Sequence, residues 1–431
     1  MLSAVHVRNF KCIRNLDLEF TYDLLKAPKS YRQMPVLPFV EKIGRRFVPC
    51  MALYGANASG KSTVLEAIAA IANIALERIH PLRVYKPYMF AKEVAGSTSL
   101  EMTWTNEEES FSYGIEVAAN RIVGEKLSAG DEIIFSSYEG NIEFQNHPQT
   151  QQVRDGLRLQ CIDASSGRQL RAIFPVLLSA FPGFDGVVNR AFRSMATQFL
   201  YPGRFVDALE AIRALAATFD LPGTAEREQA ALDLISSFLR KLDVCIERIE
   251  MQKTSGFIAP LSSLVEAPVL AQSHVSSGFN PSLMHDKIEF RTFHLSEGGI
   301  QIPMRMQDES MGTRRLFGLL SILLTALRVG GTALVDGMDE SLHPALIPEL
   351  IKLFQVREYN DKHAQLIFTI HNTDLLASGR LSASEVAFVS QNGYAGTGIR
   401  RLSSFSEKHH GRSLKKDYTA GVYDAVPSPY I

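Results

Sequence analysis

The amino-acid sequence predicts an α/β protein built on a parallel core sheet. A buried apolar strand, Phe47 to Tyr54, runs directly into a glycine-containing loop. The residues that follow the loop have the apolar spacing of an amphipathic helix. The last third of the chain alternates helix and strand, an order that produces parallel strands in α/β proteins. Between these two regions the pattern is mainly helical.

The composition is that of a globular chain long enough for two or three domains. The 431 residues are 46% hydrophobic and 21% charged, with a net charge of −1. Because no overall field attracts nucleic acid, contact with DNA or RNA would need a local basic patch. The four cysteines, Cys12, Cys50, Cys161 and Cys245, lack metal-ligand spacing, as expected in a reducing compartment. The most apolar run, 316 to 329, is shorter than the roughly 20 residues of a membrane span. We therefore expect a cytoplasmic protein without membrane contact.

The elements can be predicted in chain order from hydrophobic periodicity. The first 20 residues alternate apolar and polar side chains, which indicates two strands and a turn. A surface insertion is expected from about 26 to 46, ahead of the buried strand, its loop and a helix with apolar positions from 64 to 75. Alternation returns from 98 to 145 and predicts an antiparallel meander.

The second half of the chain is predicted to be helical first and then mixed. Helical spacing dominates from about 150 to 250, and a loop is expected at 276 to 282. The elements predicted after that loop are strands at 287–295 and 299–304, a helix at 313–328, a strand at 332–336, a helix near 344–357 and a strand at 365–371.

The clearest chemical motif is the loop after the buried strand. It consists of Gly55, Ala56, Asn57, Ala58, Ser59, Gly60, Lys61, Ser62 and Thr63. These residues satisfy GxxxxGK[ST] between a strand and a helix, the context in which the motif binds phosphate. The glycines let backbone N–H groups turn toward phosphate oxygens, and the helix N-terminus adds positive potential. Lys61 would reach the β- and γ-phosphates, and the Ser62 hydroxyl would ligate Mg²⁺. The alternative, a chance match in a Gly/Ser loop, is disfavoured by this context.

A second motif is the apolar strand that ends at Asp336. A carboxylate at a strand end beside a phosphate loop suits a magnesium site. Many strands end in aspartate, so this motif indicates a magnesium site only in combination with the motifs that flank it. Upstream, the segment 309–315 opens a helix with Ser310, Gly312 and two arginines. Downstream, a strand is predicted to end at His371.

Taken together, these motifs resemble those of the ABC-type ATPases of the SMC, RecF and OLD group, and in particular the AbiLi/RloA-type ATPases of prokaryotic anti-phage defence systems. The matching segments are VRNFKCIRNLDLEF, YGANASGKST, DESMGTRRLFGLL, LVDGMDESLHP, IFTIHNTDLL and KKDYTAGVYDAVP. The resemblance implies a split ABC-type ATPase head that binds ATP and Mg²⁺. Its parts would be an N-terminal lobe (1–147), a mainly helical insertion (148–282) and a C-terminal lobe (283–431).

The resemblance also implies roles for residues outside the phosphate loop. Ser310 and Gly312 would form the signature motif, which completes the ATP site of the opposite subunit by contacting the γ-phosphate. A serine hydroxyl at a helix N-terminus is also, on physical grounds, an anion site. His371 would sense the γ-phosphate; the alternative is a buried structural histidine. ATP would therefore hold two copies of the chain together. Lys11 takes a position that often contacts nucleotide, but it could equally be a solvated turn residue.

One position departs from the family pattern. The magnesium aspartate is normally followed by a glutamate that orients the attacking water, and here that place is taken by Gly337. Glycine has no acceptor, so general-base assistance of about 10²–10⁴-fold is missing there. Asp339, at the place of the loop that crosses the dimer interface, or Glu340 could substitute, although both are displaced along the chain. We expect strong ATP binding with slow hydrolysis.

Three functions stay open at this point. The chain could be a defence ATPase that senses infection and controls a separate effector, such as a nuclease or toxin. It could be a DNA-repair or chromosome-maintenance ATPase that acts on DNA itself, or a non-catalytic scaffold stabilised by ATP. The basic stretch 407–416 could contact nucleic acid, although a solvated loop is favoured. We expect any nuclease activity to belong to another polypeptide.

Overall fold

The structure of the chain is a computed structural model. It describes residues 1–22, 46–90, 96–106, 108–144, 150–181, 186–199, 208–255, 286–391, 393–405 and 413–427. The predicted surface insertion, the predicted loop at 276–282 and most of the basic stretch lie outside these residues. Within the described ranges, no helix is both long and apolar enough to cross a membrane.

Seven strands from the first third of the chain form one antiparallel sheet. They are β1 (Leu2–Phe10), β2 (Ile13–Glu19), β4 (Thr98–Thr105), β5 (Ser110–Ala118), β6 (Arg121–Ala129), β7 (Glu132–Tyr138) and β8 (Asn141–Phe144). Their order is β2-β1-β4-β5-β6-β7-β8. Burial alternates along β5, because successive side chains point to opposite faces of the sheet. The predicted initial strand pair and the antiparallel meander are therefore confirmed.

A five-stranded sheet forms the centre of the molecule. It contains β3 (Cys50–Tyr54), β12 (Thr332–Val335), β13 (Gln365–Thr369), β14 (Val386–Gln391) and β15 (Thr397–Arg401), in the order β12-β13-β3-β14-β15. The first four strands are parallel, and β15 is antiparallel to β14. Every residue of β3 and β13 is buried. The mixed α/β fold with a parallel core is thus confirmed, and the central strand comes from the opposite end of the chain to its neighbours.

The helices surround these sheets. They are α1 (Lys61–Ala75), α2 (Thr150–Cys161), α3 (Ile173–Ala180), α4 (Gly186–Gln198), α5 (Ala208–Ala217), α6 (Thr224–Lys241), α7 (Met311–Val329), α8 (Leu346–Gln355), α9 (Asp374–Ala377) and α10 (Leu414–Thr419). The region predicted as an insertion contributes to both hydrophobic cores. Helices α2, α3 and α4 share a core with the seven-stranded sheet. Helices α5 and α6 share the other core with α7 and β12.

A small antiparallel sheet lies ahead of α7. Its strands are β9 (Arg248–Ser255), β10 (Asp286–Leu295) and β11 (Gln301–Arg305), in the order β11-β10-β9. Strands β10 and β11 confirm the two strands predicted after the loop. The sheet matters for the site because β11 is followed, after one short turn, by the N-terminus of α7.

Candidate functional site

The loop between β3 and α1 is held in shape by a residue outside the motif. Gly60 is the N-cap of α1 and has a φ of +104°, in the left-handed region that favours glycine. A Cβ added there would lie 2.3 Å from Thr397 Oγ1 on β15. The Thr397 hydroxyl also donates to the Ser59 carbonyl at 3.0 Å. The glycine is therefore required both by the backbone turn and by this close packing.

Lys61, the first residue of α1, is 6% exposed. Its ammonium donates to the carbonyl oxygens of Gly55 and Ala56, both at 2.8 Å. Burial lowers the pKa of Lys61, while the nearby Asp336 and Asp339 carboxylates act to raise it. An incompletely hydrated cation at a helix N-terminus, beside an open cleft, is an anion-binding arrangement.

The predicted magnesium residues meet across the sheet. The Ser62 hydroxyl donates to Asp336 Oδ1 at 2.9 Å, although the two residues are 274 positions apart. Hydroxyl and carboxylate oxygens are hard donors of the kind that Mg²⁺ takes, with phosphate and water oxygens completing the shell. Across the described ranges, no cluster of three or more His, Cys, Asp or Glu side chains could hold a metal by itself. The residues present therefore fit a metal that arrives with a nucleotide.

The phosphate loop forms one wall of a cleft of about 280 Å³. The cleft is lined by Cys12, Asn57, Ala58, Ser59, Gly60, Lys61, Ser62, Thr63, Asp336, Gly337, Glu340, Thr369 and His371. The fold therefore gathers the predicted loop, the predicted aspartate and the predicted histidine at one place. His371 is exposed, so the alternative of a buried structural histidine is wrong. A larger cavity of about 540 Å³ beside Met1 and α4 contains none of these residues.

The turn after Asp336 is fixed by two side chains. Thr369, at the end of β13, donates through Oγ1 to Asp336 Oδ1 at 2.7 Å and accepts from the Gly337 N–H at 2.7 Å. Arg315 on α7 donates through Nη2 to the carbonyl oxygens of Asp336 and Gly337 at 2.9 and 3.0 Å. Sequence reasoning missed Thr369, because a threonine at a strand end becomes informative only when the neighbouring strand is known.

The two acidic candidates after Gly337 have different surroundings. Asp339 Oδ2 accepts the backbone N–H groups of His371 and Asn372 at 3.0 and 2.7 Å. Asp339 is not among the residues that line the cleft, and its carboxylate instead anchors the turn that carries His371. The side chain of Glu340 does line the cleft.

The predicted signature residues lie at the start of α7. Ser310 is the N-cap, and its Oγ accepts from the Thr313 N–H at 3.1 Å. A Cβ at Gly312 would lie 2.9 Å from the Ser341 carbonyl. The Glu309 carboxylate, just upstream, is 2.6 Å from His294 Nε2 on β10, which ties the small sheet to this turn. Ser310 is exposed, and neither signature residue lines the cleft of its own chain.

Lys11 is placed beside the cleft and not in its lining. Its ammonium forms an ion pair with Glu66 on α1. The adjacent Cys12 lines the cleft and donates through Sγ to Thr63 Oγ1 at 3.3 Å. The β1–β2 turn therefore does reach the phosphate loop, but through Cys12.

Comparison with known proteins gives one family match. A family model described as "AAA domain, putative AbiEii toxin, Type IV TA system" matches residues 50–144 and 223–377. The matched ranges cover more than half of the chain and contain the phosphate loop, Asp336 and His371. No curated protein matches the chain.

Solved structures with similarity to this chain include two SMC head domains. One is the SMC head bound to the C-winged helix domain of ScpA, with a TM-score of 0.44, 13% identity, and coverage of 93% of this chain and 96% of that chain. The other is the SMC head domain from Thermotoga maritima, with a TM-score of 0.38, 14% identity, and coverage of 93% and 98%.

Proposed function

Because the chain belongs to this family of AbiEii-type AAA domains, we propose that it binds Mg-ATP in the cleft at Lys61, hydrolyses it slowly, and uses the bound nucleotide to regulate a separate effector. The observation that carries the proposal is the convergence in one cleft of the Lys61 loop, the Ser62–Asp336 pair and His371. A triphosphate has the charge and the metal requirement that this set of groups satisfies.

Each group in the cleft has a proposed task. The loop N–H groups and the Lys61 ammonium bind the phosphates, and the ammonium exchanges its two carbonyl acceptors for phosphate oxygens. When Mg²⁺ is bound with the nucleotide, it neutralises phosphate charge at the Ser62 and Asp336 oxygens. The His371 side chain lines the same cleft, where it would contact the γ-phosphate. The Asp339 carboxylate maintains this position by holding the His371 backbone.

We further propose that the complete site needs two copies of the chain. Ser310 begins a helix of 19 residues, α7, whose N-terminus is exposed and separate from the cleft of its own chain. A helix N-terminus with an exposed hydroxyl binds anions. Placed against the cleft of a second copy, it would contact the γ-phosphate, so that ATP favours the associated state through contacts that the separate chains lack.

The proposed effector is a separate polypeptide, either a toxin or a nuclease, in an anti-phage defence system of the cytoplasm. The family description, which names a putative toxin and a toxin–antitoxin system, supports a role in a system of that kind. ATP-dependent association with the product of a neighbouring gene would support it further. Salt-dependent DNA binding by the isolated protein would instead favour an ATPase that acts on DNA. A protein that retained bound ATP without hydrolysing it would favour a non-catalytic scaffold stabilised by ATP.

A complementation experiment tests the shared site. Lys61→Ala should abolish ATP binding, and Ser310→Arg should bind ATP but fail to associate. An equimolar mixture of the two should recover ATP-dependent association. In a mixed pair, one composite site would combine the intact Lys61 loop of the Ser310→Arg variant with the intact Ser310 helix of the Lys61→Ala variant. Light scattering measures association, and Lys126→Ala, an exposed lysine on β6, is the matched control.

Two results would contradict the proposal. The cleft would not be the nucleotide site if Lys61→Ala left ATP affinity unchanged. The shared site would be wrong if Lys61→Ala lost ATP binding and Ser310→Arg kept it, as expected, but an equimolar mixture of the two showed no ATP-dependent association.

A further inference from the structure

We propose that Glu340 supplies the carboxylate that orients the attacking water, and that Gly337 leaves the space it occupies. This inference rests on the proposed ATPase function and specifies its chemistry. It assigns different tasks to the two neighbouring acidic residues: Glu340 acts on the water, whereas Asp339 positions the His371 turn.

The space beside Gly337 is occupied by the Glu340 side chain. Gly337 has a φ of +66°, and a Cβ added there would lie 2.3 Å from Glu340 Oε1 and 2.4 Å from its Cδ. The Glu340 carboxylate therefore fills the volume that any side chain at position 337 would enter. The Glu340 N–H also donates to the Gly337 carbonyl at 3.1 Å, which closes the tight turn that brings the carboxylate back toward Asp336.

The Glu340 carboxylate is available to bind a water molecule. Two acidic side chains line the cleft, Asp336 and Glu340. Asp336 Oδ1 accepts from the Ser62 and Thr369 hydroxyls. The Glu340 side chain is exposed, and no group in the described part of the chain donates to it. Of the two carboxylates, Glu340 is the one free to accept a hydrogen bond from water.

Glu340 lies in the same cleft as the proposed phosphate-binding groups. It lines the same cleft as Lys61, Ser62 and His371. A water held by the Glu340 carboxylate would therefore lie in the same cleft as the terminal phosphate. Asp339 lacks this position, because its Oδ2 is held by the two backbone N–H groups of the His371 turn.

The step itself is hydrolysis of the terminal phosphoanhydride. The water oxygen bonds to the γ-phosphorus, and the bond from that phosphorus to the bridging oxygen breaks, with the electron pair leaving on ADP. The water proton passes to the Glu340 carboxylate and then to solvent. Orientation and proton acceptance of this kind contribute about 10²–10⁴-fold to a rate.

Two variants test the proposal in independent ways. Glu340→Gln keeps the shape of the side chain and removes the charge. Gly337→Ala keeps the carboxylate but places a Cβ where it lies. Both should lower the single-turnover rate of phosphate release at least about 30-fold, while ATP affinity, measured by equilibrium binding, stays within about threefold.

The chain offers matched controls for both changes. Glu358 is an exposed glutamate after α8, so Glu358→Gln is a charge control. Gly379 has a φ of +67° and nothing within 4 Å of an added Cβ, so Gly379→Ala carries the same backbone strain without the clash. Both controls should hydrolyse ATP at the wild-type rate.

The outcomes separate this inference from the proposed function. Glu340→Gln with wild-type hydrolysis and intact ATP affinity would overturn the role of Glu340. A wild-type protein that binds ATP but releases no phosphate in a single turnover would also overturn it. Failure of the wild-type protein to bind ATP would instead overturn the proposed function. A Gly337→Ala effect no larger than that of Gly379→Ala would show that the space beside position 337 is unimportant.

Discussion

Replacement of Thr369 by valine would test whether the strand next to the acidic strand orients Asp336, the proposed magnesium ligand. Thr369 is 2% exposed, and its hydroxyl joins Asp336 Oδ1 to the Gly337 N–H, each at 2.7 Å. Valine has nearly the same shape and no hydroxyl. Thr369→Val therefore removes both hydrogen bonds while leaving the packing of β13 almost unchanged.

The expected magnitude follows from these two bonds. A hydrogen bond to a charged group contributes about 1.5–3 kcal/mol, and a buried N–H left without an acceptor costs about 1–3 kcal/mol. The two losses overlap, because the turn can relax, so we expect the free energy of unfolding to fall by about 2–4 kcal/mol. If about 1.4 kcal/mol of this reflects lost orientation of Asp336, Mg-ATP affinity should fall about tenfold.

The assay combines urea unfolding with titration of a fluorescent ATP analogue, in Mg²⁺ and in EDTA. The affinity loss should be confined to the Mg²⁺ titration, because only that measurement depends on the Asp336 carboxylate. Thr369→Ser keeps the hydroxyl and loses the methyl group, so it is the control for an altered side chain that retains both hydrogen bonds. Equal Mg-ATP affinity in the valine and serine variants would refute the role assigned to Thr369.

Three further predictions concern the loop, the His371 turn and a buried acid. Gly60→Ala should abolish ATP binding, since the new Cβ would lie 2.3 Å from Thr397 Oγ1; an unchanged dissociation constant would contradict this. Asp339→Ala should speed amide hydrogen exchange at His371 at least tenfold, because two backbone N–H groups lose their acceptor; unchanged exchange would contradict it. Burial raises the pKa of Glu125 from 4.5 to about 7, so its stabilising contribution is complete below pH 4.5 and is lost as the pH rises through 7. Between pH 5 and pH 8 the unfolding free energy of Glu125→Gln should therefore fall by about 2.5 kcal/mol less than that of the wild-type protein; equal declines in the two proteins would contradict the assignment.

Local patterns predicted much of the fold because their physical basis lies within a few residues. The strand, loop and helix around Lys61 are contiguous, so hydrophobic periodicity and the glycine spacing were sufficient to identify them. The alternation from 98 to 145 likewise predicted the meander, since the strand period of two is a property of each strand alone. The small β9–β11 sheet was predicted only in part: β9 begins at the end of a range with helical spacing.

Residues of the site that act through distant partners were harder to predict. For Lys11 the sequence left open a nucleotide contact and a solvated turn residue; in the fold its ammonium pairs with Glu66, and the adjacent Cys12 lines the cleft. Asp339 and Glu340 were equivalent candidates in the sequence. The turn at Gly337 separates them, because one carboxylate is directed to backbone N–H groups and the other to the cleft.

The sequence by itself therefore determined the fold class, most of the elements as far as β13 and the nine-residue GxxxxGK[ST] loop, since each depends on propensities and spacings along a short stretch of chain. The tertiary structure alone decided that Thr369 orients Asp336, that Arg315 holds the turn after it, and that Glu340 lies where a side chain at position 337 would be. The physical reason is the pairing of strands. β3 is hydrogen-bonded between β13 and β14, more than 300 residues further along the chain, and contacts across that sheet depend on register and packing, which no local pattern encodes.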